Sequence, residues 1–160
     1  MTTASDSIEL TIPAKAEYIG VVRLALSGIT NRMGFSYDDI EDIKVAVSEA
    51  ITNAVRHAYK DDVEGRVLIR VTPFPDRIEI MVIDSGRSFD IERISGNLKP
   101  LSAAASIEQL NEGGLGLFLI DTLMDRVTIS GESGVVVFMT KFLGGDEVAN
   151  HAGKAYSTNE

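Results

Sequence analysis

The most regular alternation of apolar and polar positions runs between residues 40 and 58. Ile40, Ile43, Val47, Ala50, Ile51, Ala54, Val55 and Ala58 recur at steps of three and four, the period of a helix that commits one stripe to a core. Ser36 stands where it can cap such a helix, and Asp39 puts negative charge at its positive end. A helix is therefore predicted from about Ser36 to Ala58 or Tyr59. Its other face carries Glu49, Asn53 and His57, four residues apart, so the three side chains stack on successive turns.

Ahead of this helix, Ile8 to Ile12 alternates as a strand that Pro13 closes. Ile19, Val22, Leu26, Ile29 and Met33 then mark a second helical seam, with Gly34 placed to cap it and Gly20 and Gly28 weakening its interior. Val21, Leu24 and Ala25 widen its apolar surface, which fits burial on two sides or a partner surface. After a charged turn over 60–65, Val67–Thr72 and Ile78–Ile83 read as strands, and the short Pro73–Arg77 connection makes them an antiparallel hairpin. The second strand delivers Asp84 to its end, beside the glycine turn at Gly86.

Regularity lapses from Arg87 to Gly113, where a segment this long is read as a lid, with a disordered insertion as the alternative. Gly113-Gly114-Leu115-Gly116 opens directly into a short apolar helix over Leu117–Asp125. Glycines at a helix start let backbone N–H groups approach an anion. The spacing is neither a dinucleotide fingerprint nor a P-loop. Val127–Ser130 and Val135–Leu143 form a last hairpin, and residues 144–160 read as a polar tail. No internal repeat and no second domain is visible.

Composition narrows the chemistry. A chain of 160 residues suits one domain with a real core. It has no cysteine, which removes disulfides, thiolate metal sites and cysteine nucleophiles, and is compatible with a reducing cytoplasm. No window approaches an apolar membrane span. The net charge of −9 opposes direct binding of nucleic acid. A nucleotide site would need a local exception from backbone N–H groups, a helix start or a cation. Glu49 can take a proton from a hydroxyl, and Asn53 can offer oxygen to Mg²⁺, which takes one or two protein oxygens and fills its shell with water and phosphate. An ordinary solvated helix face is the alternative for these residues taken alone.

Together, the Glu49-x-x-x-Asn53 helix, the strand ending Asp84-x-Gly86, the lid-like loop and Gly114-x-Gly116 resemble the nucleotide-binding fold of gyrase-type ATPases, Hsp90 chaperones, histidine kinases and MutL proteins. Within that superfamily, Ala46–Ala50, Thr52–Val55, Glu112–Leu117 and Leu123–Asp125 resemble the serine kinases that double as anti-sigma factors, over roughly residues 8–143. The resemblance implies an α+β fold, a two-layer sandwich of a mostly antiparallel mixed sheet covered on one face by helices (the Bergerat ATP-binding fold). It implies a kinase domain over 1–143 with its lid at about 87–113, followed by the tail 144–160.

The family roles carry over by residue. Glu49 would be the catalytic base. Asn53 would hold Mg²⁺ against the phosphates of ATP, Asp84 would accept from the adenine amino group, and Gly86 would let the ring sit close. Gly114, Leu115 and Gly116 would wrap the phosphates, and Thr140 would reach adenine through water. Arg56 and His57 would lie near the site. Ser88 departs from the family pattern, which has glycine there. The resemblance further implies a cytoplasmic homodimer that captures a sigma-B-type sigma factor and phosphorylates a serine of an anti-anti-sigma protein of the RsbV type. The exposed side of the first helix, including Arg23, is a candidate partner surface, with an ordinary solvated arginine as the alternative. A non-catalytic sequestering module and a histidine-kinase catalytic domain are the alternatives. The second would need a phosphoacceptor hairpin ahead of the site, and the only histidines are His57 and His151.

Overall fold

The computed structural model describes residues 6–60, 65–85, 99–100, 116–130 and 136–144. In chain order these form β1 (Ile8–Pro13), a 3-10 turn (Ala16–Tyr18), α1 (Ile19–Met33), α2 (Tyr37–Lys60), β2 (Arg66–Pro73), β3 (Arg77–Ser85) and β4 (Lys99–Pro100), followed by α3 (116–123), β5 (Arg126–Ser130) and β6 (Val136–Phe142).

Local chemistry sets the helix boundaries. Gly34 ends α1 in the left-handed region (φ 90°, ψ 20°), where a side chain would be strained. Its N–H donates to the Asn31 carbonyl at 3.1 Å, and that of Phe35 donates to the Thr30 carbonyl at 3.2 Å, so two of the last carbonyls of the helix are satisfied. Ser36 then caps α2 by accepting the Asp39 N–H at 3.2 Å.

Among the described residues, six strands lie in the order β1-β2-β3-β6-β5-β4, and their five pairings are antiparallel. Both predicted hairpins are present, and they join through β3 and β6, which puts β6 inside the sheet. Alternation along each strand separates two faces. Ile12, Val67, Ile69, Val71, Ile78, Ile80, Val82, Val127, Ile129, Val137 and Met139 point into the main core under the helices. Leu68, Met81, Ile83 and Val136 form a smaller cluster on the opposite face, with Phe138 against it.

From above, Ile43, Ala46, Val47, Ala50, Ile51 and Ala54 of α2 and Val22 and Leu26 of α1 complete the main core. A fully buried aliphatic side chain contributes about 1.5–3 kcal/mol. The Lys44–Glu41 pair on the helix surface, at 3.1 Å, adds a few tenths of that by comparison. Packing therefore decides where α2 lies, and with it the position of everything on its other face.

The expected two-layer α+β sandwich is what the chain forms. The segment expected as a lid, 87–113, lies outside the described residues except at β4, which pairs Lys99 with Ile129 and Pro100 with Thr128. A proline is tolerated there because β4 is an edge strand. Of the tail, only Gly144 is described. No helix among the described residues is long and apolar enough to cross a membrane.

Candidate active site

Glu49 and Asn53 sit one turn apart on the half-buried flank of α2, next to the buried Ala50 and Ala54. The third participant comes from far along the chain. At Gly116, in the first described turn of α3, an added Cβ would lie 3.0 Å from Glu49 Oε2, 3.4 Å from Asn53 Nδ2 and 3.6 Å from Asn53 Oδ1. The tertiary fold thus brings the last glycine of the Gly113-Gly114-Leu115-Gly116 stretch onto the two polar residues that the helical period already stacks.

Asn53 Nδ2 is buried and has no hydrogen-bond partner among the described residues. Leaving a buried donor unmade costs about 1–3 kcal/mol, so such atoms are rare and call for an explanation. A ligand group at this spot supplies one. Rotating the amide by half a turn exchanges its nitrogen and oxygen, so the open valence can face either an anion or a cation. No three His, Asp or Glu residues among those described gather into a metal cage. A cation here would be held as Mg²⁺ commonly is, by very few protein oxygens, with phosphate and water completing its shell.

Asp84 is buried, 8% exposed, near the end of β3. It continues the row of Ile78, Ile80 and Val82 that faces the helices, so it shares a layer with Glu49 and Asn53. Thr140 does not. It registers with Glu79 across β3 and β6 and with Arg126 across β5 and β6. With Glu79, Arg126 and Phe138 it lines an open hollow of about 420 Å³ on the far side of the sheet. Thr140 therefore lies on the opposite face of the sheet from Asp84, away from the layer that holds Glu49 and Asn53. Side chains in a strand alternate with period two, so a one-residue difference in parity moves a residue from one face to the other. Val137, Met139 and Lys141 hold the β6 positions facing the helices. Thr140→Val is accordingly expected to change nucleotide affinity by less than about twofold. Titration with a fluorescent ATP analogue checks this, and a tenfold loss would contradict the face assignment.

Gly86, Gly114, Leu115 and the His57 side chain lie outside the described residues, and Arg56 is exposed. Arg23, expected on the exposed side of α1, is instead half-buried and donates from Nη1 to Ser48 Oγ at 2.9 Å, while Ser48 donates on to the Lys44 carbonyl at 2.6 Å. This hydrogen bond ties α1 to the residue before Glu49, and no local pattern announces it because it depends on how the two helices cross.

The approach of Gly116 leads to a prediction. In Gly116→Ala the new methyl would press on the tip of Glu49, a flexible end that can give by a few tenths of an ångström. Alanine also favours the helix by about 0.5–1 kcal/mol over glycine. The melting temperature should not fall, while phosphoryl transfer should drop about tenfold as the carboxylate is displaced. Unchanged activity would place the reacting groups elsewhere.

The chain matches the family described as the histidine kinase-like ATPase domain over residues 12–141. It is 51% identical over 160 residues to "Serine-protein kinase RsbW" of Bacillus subtilis (strain 168), covering 99% of this chain and all of that one. The protein of the same name from Bacillus licheniformis is 56% identical over 148 residues, 92% of each chain. The crystal structure of the RsbU and RsbW domains of a Mycobacterium tuberculosis protein superposes with a TM-score of 0.61 at 22% identity, over 87% of this chain and 32% of that one. That last similarity concerns the fold.

Proposed function

The chain belongs to the RsbW serine-protein kinases, within the histidine kinase-like ATPase domains, and from this premise we propose how its residues carry out ATP-dependent phosphorylation of a protein serine. The observation that carries the proposal is the meeting of Gly116 with Glu49 and the unpartnered Asn53 amide.

Glu49 is the base. It receives the proton of the acceptor hydroxyl as the serine oxygen bonds to the γ-phosphorus and the bond from that phosphorus to the ADP oxygen breaks. Asn53 would hold Mg²⁺ through its amide oxygen, and the absent side chain at Gly116 leaves room for phosphate oxygens against the α3 backbone. Gly114 and Leu115, outside the described residues, would take the phosphate-wrapping role that the family resemblance implies. Asp84 accepts from the adenine amino group, and Gly86 gives the ring close access. Mg²⁺, when bound, neutralises charge on the phosphates and on the transition state. Positioning and charge neutralisation are most of what phosphoryl transfer requires, so no covalent nucleophile of this chain is needed.

The substrate is a serine on an anti-anti-sigma protein of the RsbV type. The second partner is a sigma-B-type sigma factor, captured by a homodimer of this chain in the cytoplasm. If the two partners compete, phosphorylating the first leaves the second captured. Retention of a carboxylate at Glu49 favours this reading over a purely sequestering module, which has no need of a base.

Incubation with γ-labelled ATP, Mg²⁺ and a purified anti-anti-sigma protein tests it. Label is expected on a partner serine. Label on a histidine of this chain, or tight sigma and nucleotide binding with no transfer at all, would overturn the proposal.

A further inference from the structure

Lys141 stands out in β6. It occupies the helix-facing row with Val137 and Met139 and is only 8% exposed, where an aliphatic residue would pack at less cost. Its Nζ donates to the Leu123 carbonyl at 2.6 Å and lies 3.8 Å from Asp39 Oδ1 and 3.8 Å from Asp42 Oδ2. Leu123 is the last residue of α3, and the two aspartates lie in the opening turns of α2. One ammonium therefore joins the negative end of one helix to acidic residues near the start of the other.

The residues of the candidate site lie further along the same two helices, Glu49 and Asn53 in the middle of α2 and Gly116 at the start of α3. The eight residues 116–123 span roughly 12 Å, and roughly 10 to 16 Å of helix separates Asp42 from Glu49 and Asn53. The spans match, so α3 runs back along α2, with Lys141 at one end and Gly116 against Glu49 and Asn53 at the other. Ile120 of α3 and Met124 just after it are buried in the core. Asp125 adds a second tie to β6, its N–H donating to the Thr140 carbonyl at 3.0 Å and its Oδ2 accepting the Phe142 N–H at 2.7 Å. Apolar packing of this kind fixes the depth of a helix but resists sliding along its axis weakly. A short hydrogen bond at the helix end resists that sliding.

We propose that Lys141 is a positioning residue for phosphoryl transfer: by holding the end of α3 at Leu123 against Asp39 and Asp42, it sets where Gly116 and the phosphate-binding backbone stand over Glu49 and Asn53. The inference rests on the kinase reading above and adds a device that the reading does not contain.

Lys141→Met keeps the bulk and removes both the donor and the charge. The partner carboxylates keep side-chain exposures of 20% and 39%, so they remain solvated and the variant should fold. A displacement of a fraction of an ångström at the phosphate end should raise the KM for ATP about tenfold, with kcat changed less than about threefold. Lys141→Arg, which restores a donor and a cation, should recover most of the deficit.

Kinetics well below the melting midpoint separate this from a merely structural lysine, which would shift the midpoint and leave KM alone. That second result would overturn the proposal. Should Lys141→Met yield no folded protein, the Asp39→Asn/Asp42→Asn double variant loosens the clamp from its other side. It should raise KM about threefold, and an unchanged KM there would count equally against the idea. Direct titration with ATP accompanies the kinetics. If the unaltered chain transfers no phosphate to serine, the kinase reading fails, yet tenfold weaker nucleotide binding by Lys141→Met would still support the clamp and unchanged binding would refute it.

Discussion

Glu49→Gln is expected to reduce transfer to the partner serine by roughly 100- to 10,000-fold, the range that a positioned general base contributes, while leaving ATP affinity within about threefold. The substitution keeps the shape of the side chain and one hydrogen-bonding oxygen, and removes the negative charge and with it the basicity. Glu49 is half-buried at the edge of the core, so the exchange disturbs no packing layer. The separation of binding from chemistry is the informative part. Measuring kcat on the anti-anti-sigma substrate beside the dissociation constant for ATP tests it. Retained kcat would mean that another group, or water, accepts the proton. Loss of both activity and binding would make Glu49 a structural support of the nucleotide rather than the base.

Asn53→Ala should do the reverse. Alanine has no oxygen to offer Mg²⁺ and, through it, phosphate. Hydrogen bonds to charged groups are worth about 1.5–3 kcal/mol, so Mg-ATP binding should weaken on the order of 10- to 100-fold. Without nucleotide, however, the variant should melt no lower than the parent. The Asn53 Nδ2 atom is buried with no partner among the described residues, so its removal relieves a desolvation penalty, and alanine is the better helix former. A gain of about 1 kcal/mol would raise the midpoint by roughly 2–4 °C in a chain of this size. A binding residue that costs its own fold stability is the usual compromise at a site shaped for a ligand. A midpoint several degrees lower, with ATP binding intact, would show that Asn53 serves the fold.

Much of this site is legible in the chain alone. Glu49 and Asn53 can be paired from their spacing because a helix converts a step of four into adjacency, and the α2 stripe is long enough to commit the helix to a core. Gly34 and Ser36 mark the α1–α2 junction because glycine at a helix end and serine at a helix start each answer a local backbone need. The two hairpins are visible for a similar reason, since strands a few residues apart have little choice of partner.

Other features cannot be read locally. Joining β3 to β6 brings together residues far apart in the chain, and it is this pairing that assigns each residue of β6 to a face. Thr140 looks suitable on the last strand, and one step of register turns it to the far side. Lys141 reads as a charge near the end of a strand, and only the docking of α3 and α2 over β6 gives it three partners.

By itself, then, the sequence determined what depends on spacing along a single element: which helix stacks Glu49 with Asn53, where the helices start and stop, and which residues form the core stripe. The tertiary structure alone decided what depends on elements meeting: Gly116 lying on Glu49 and Asn53, Thr140 facing away, Arg23 bound to Ser48, and Lys141 clamping α3 to α2. Periodicity is a property of neighbours in the chain. Sheet register and helix docking are set by the summed packing of the whole core, which no short window of residues contains.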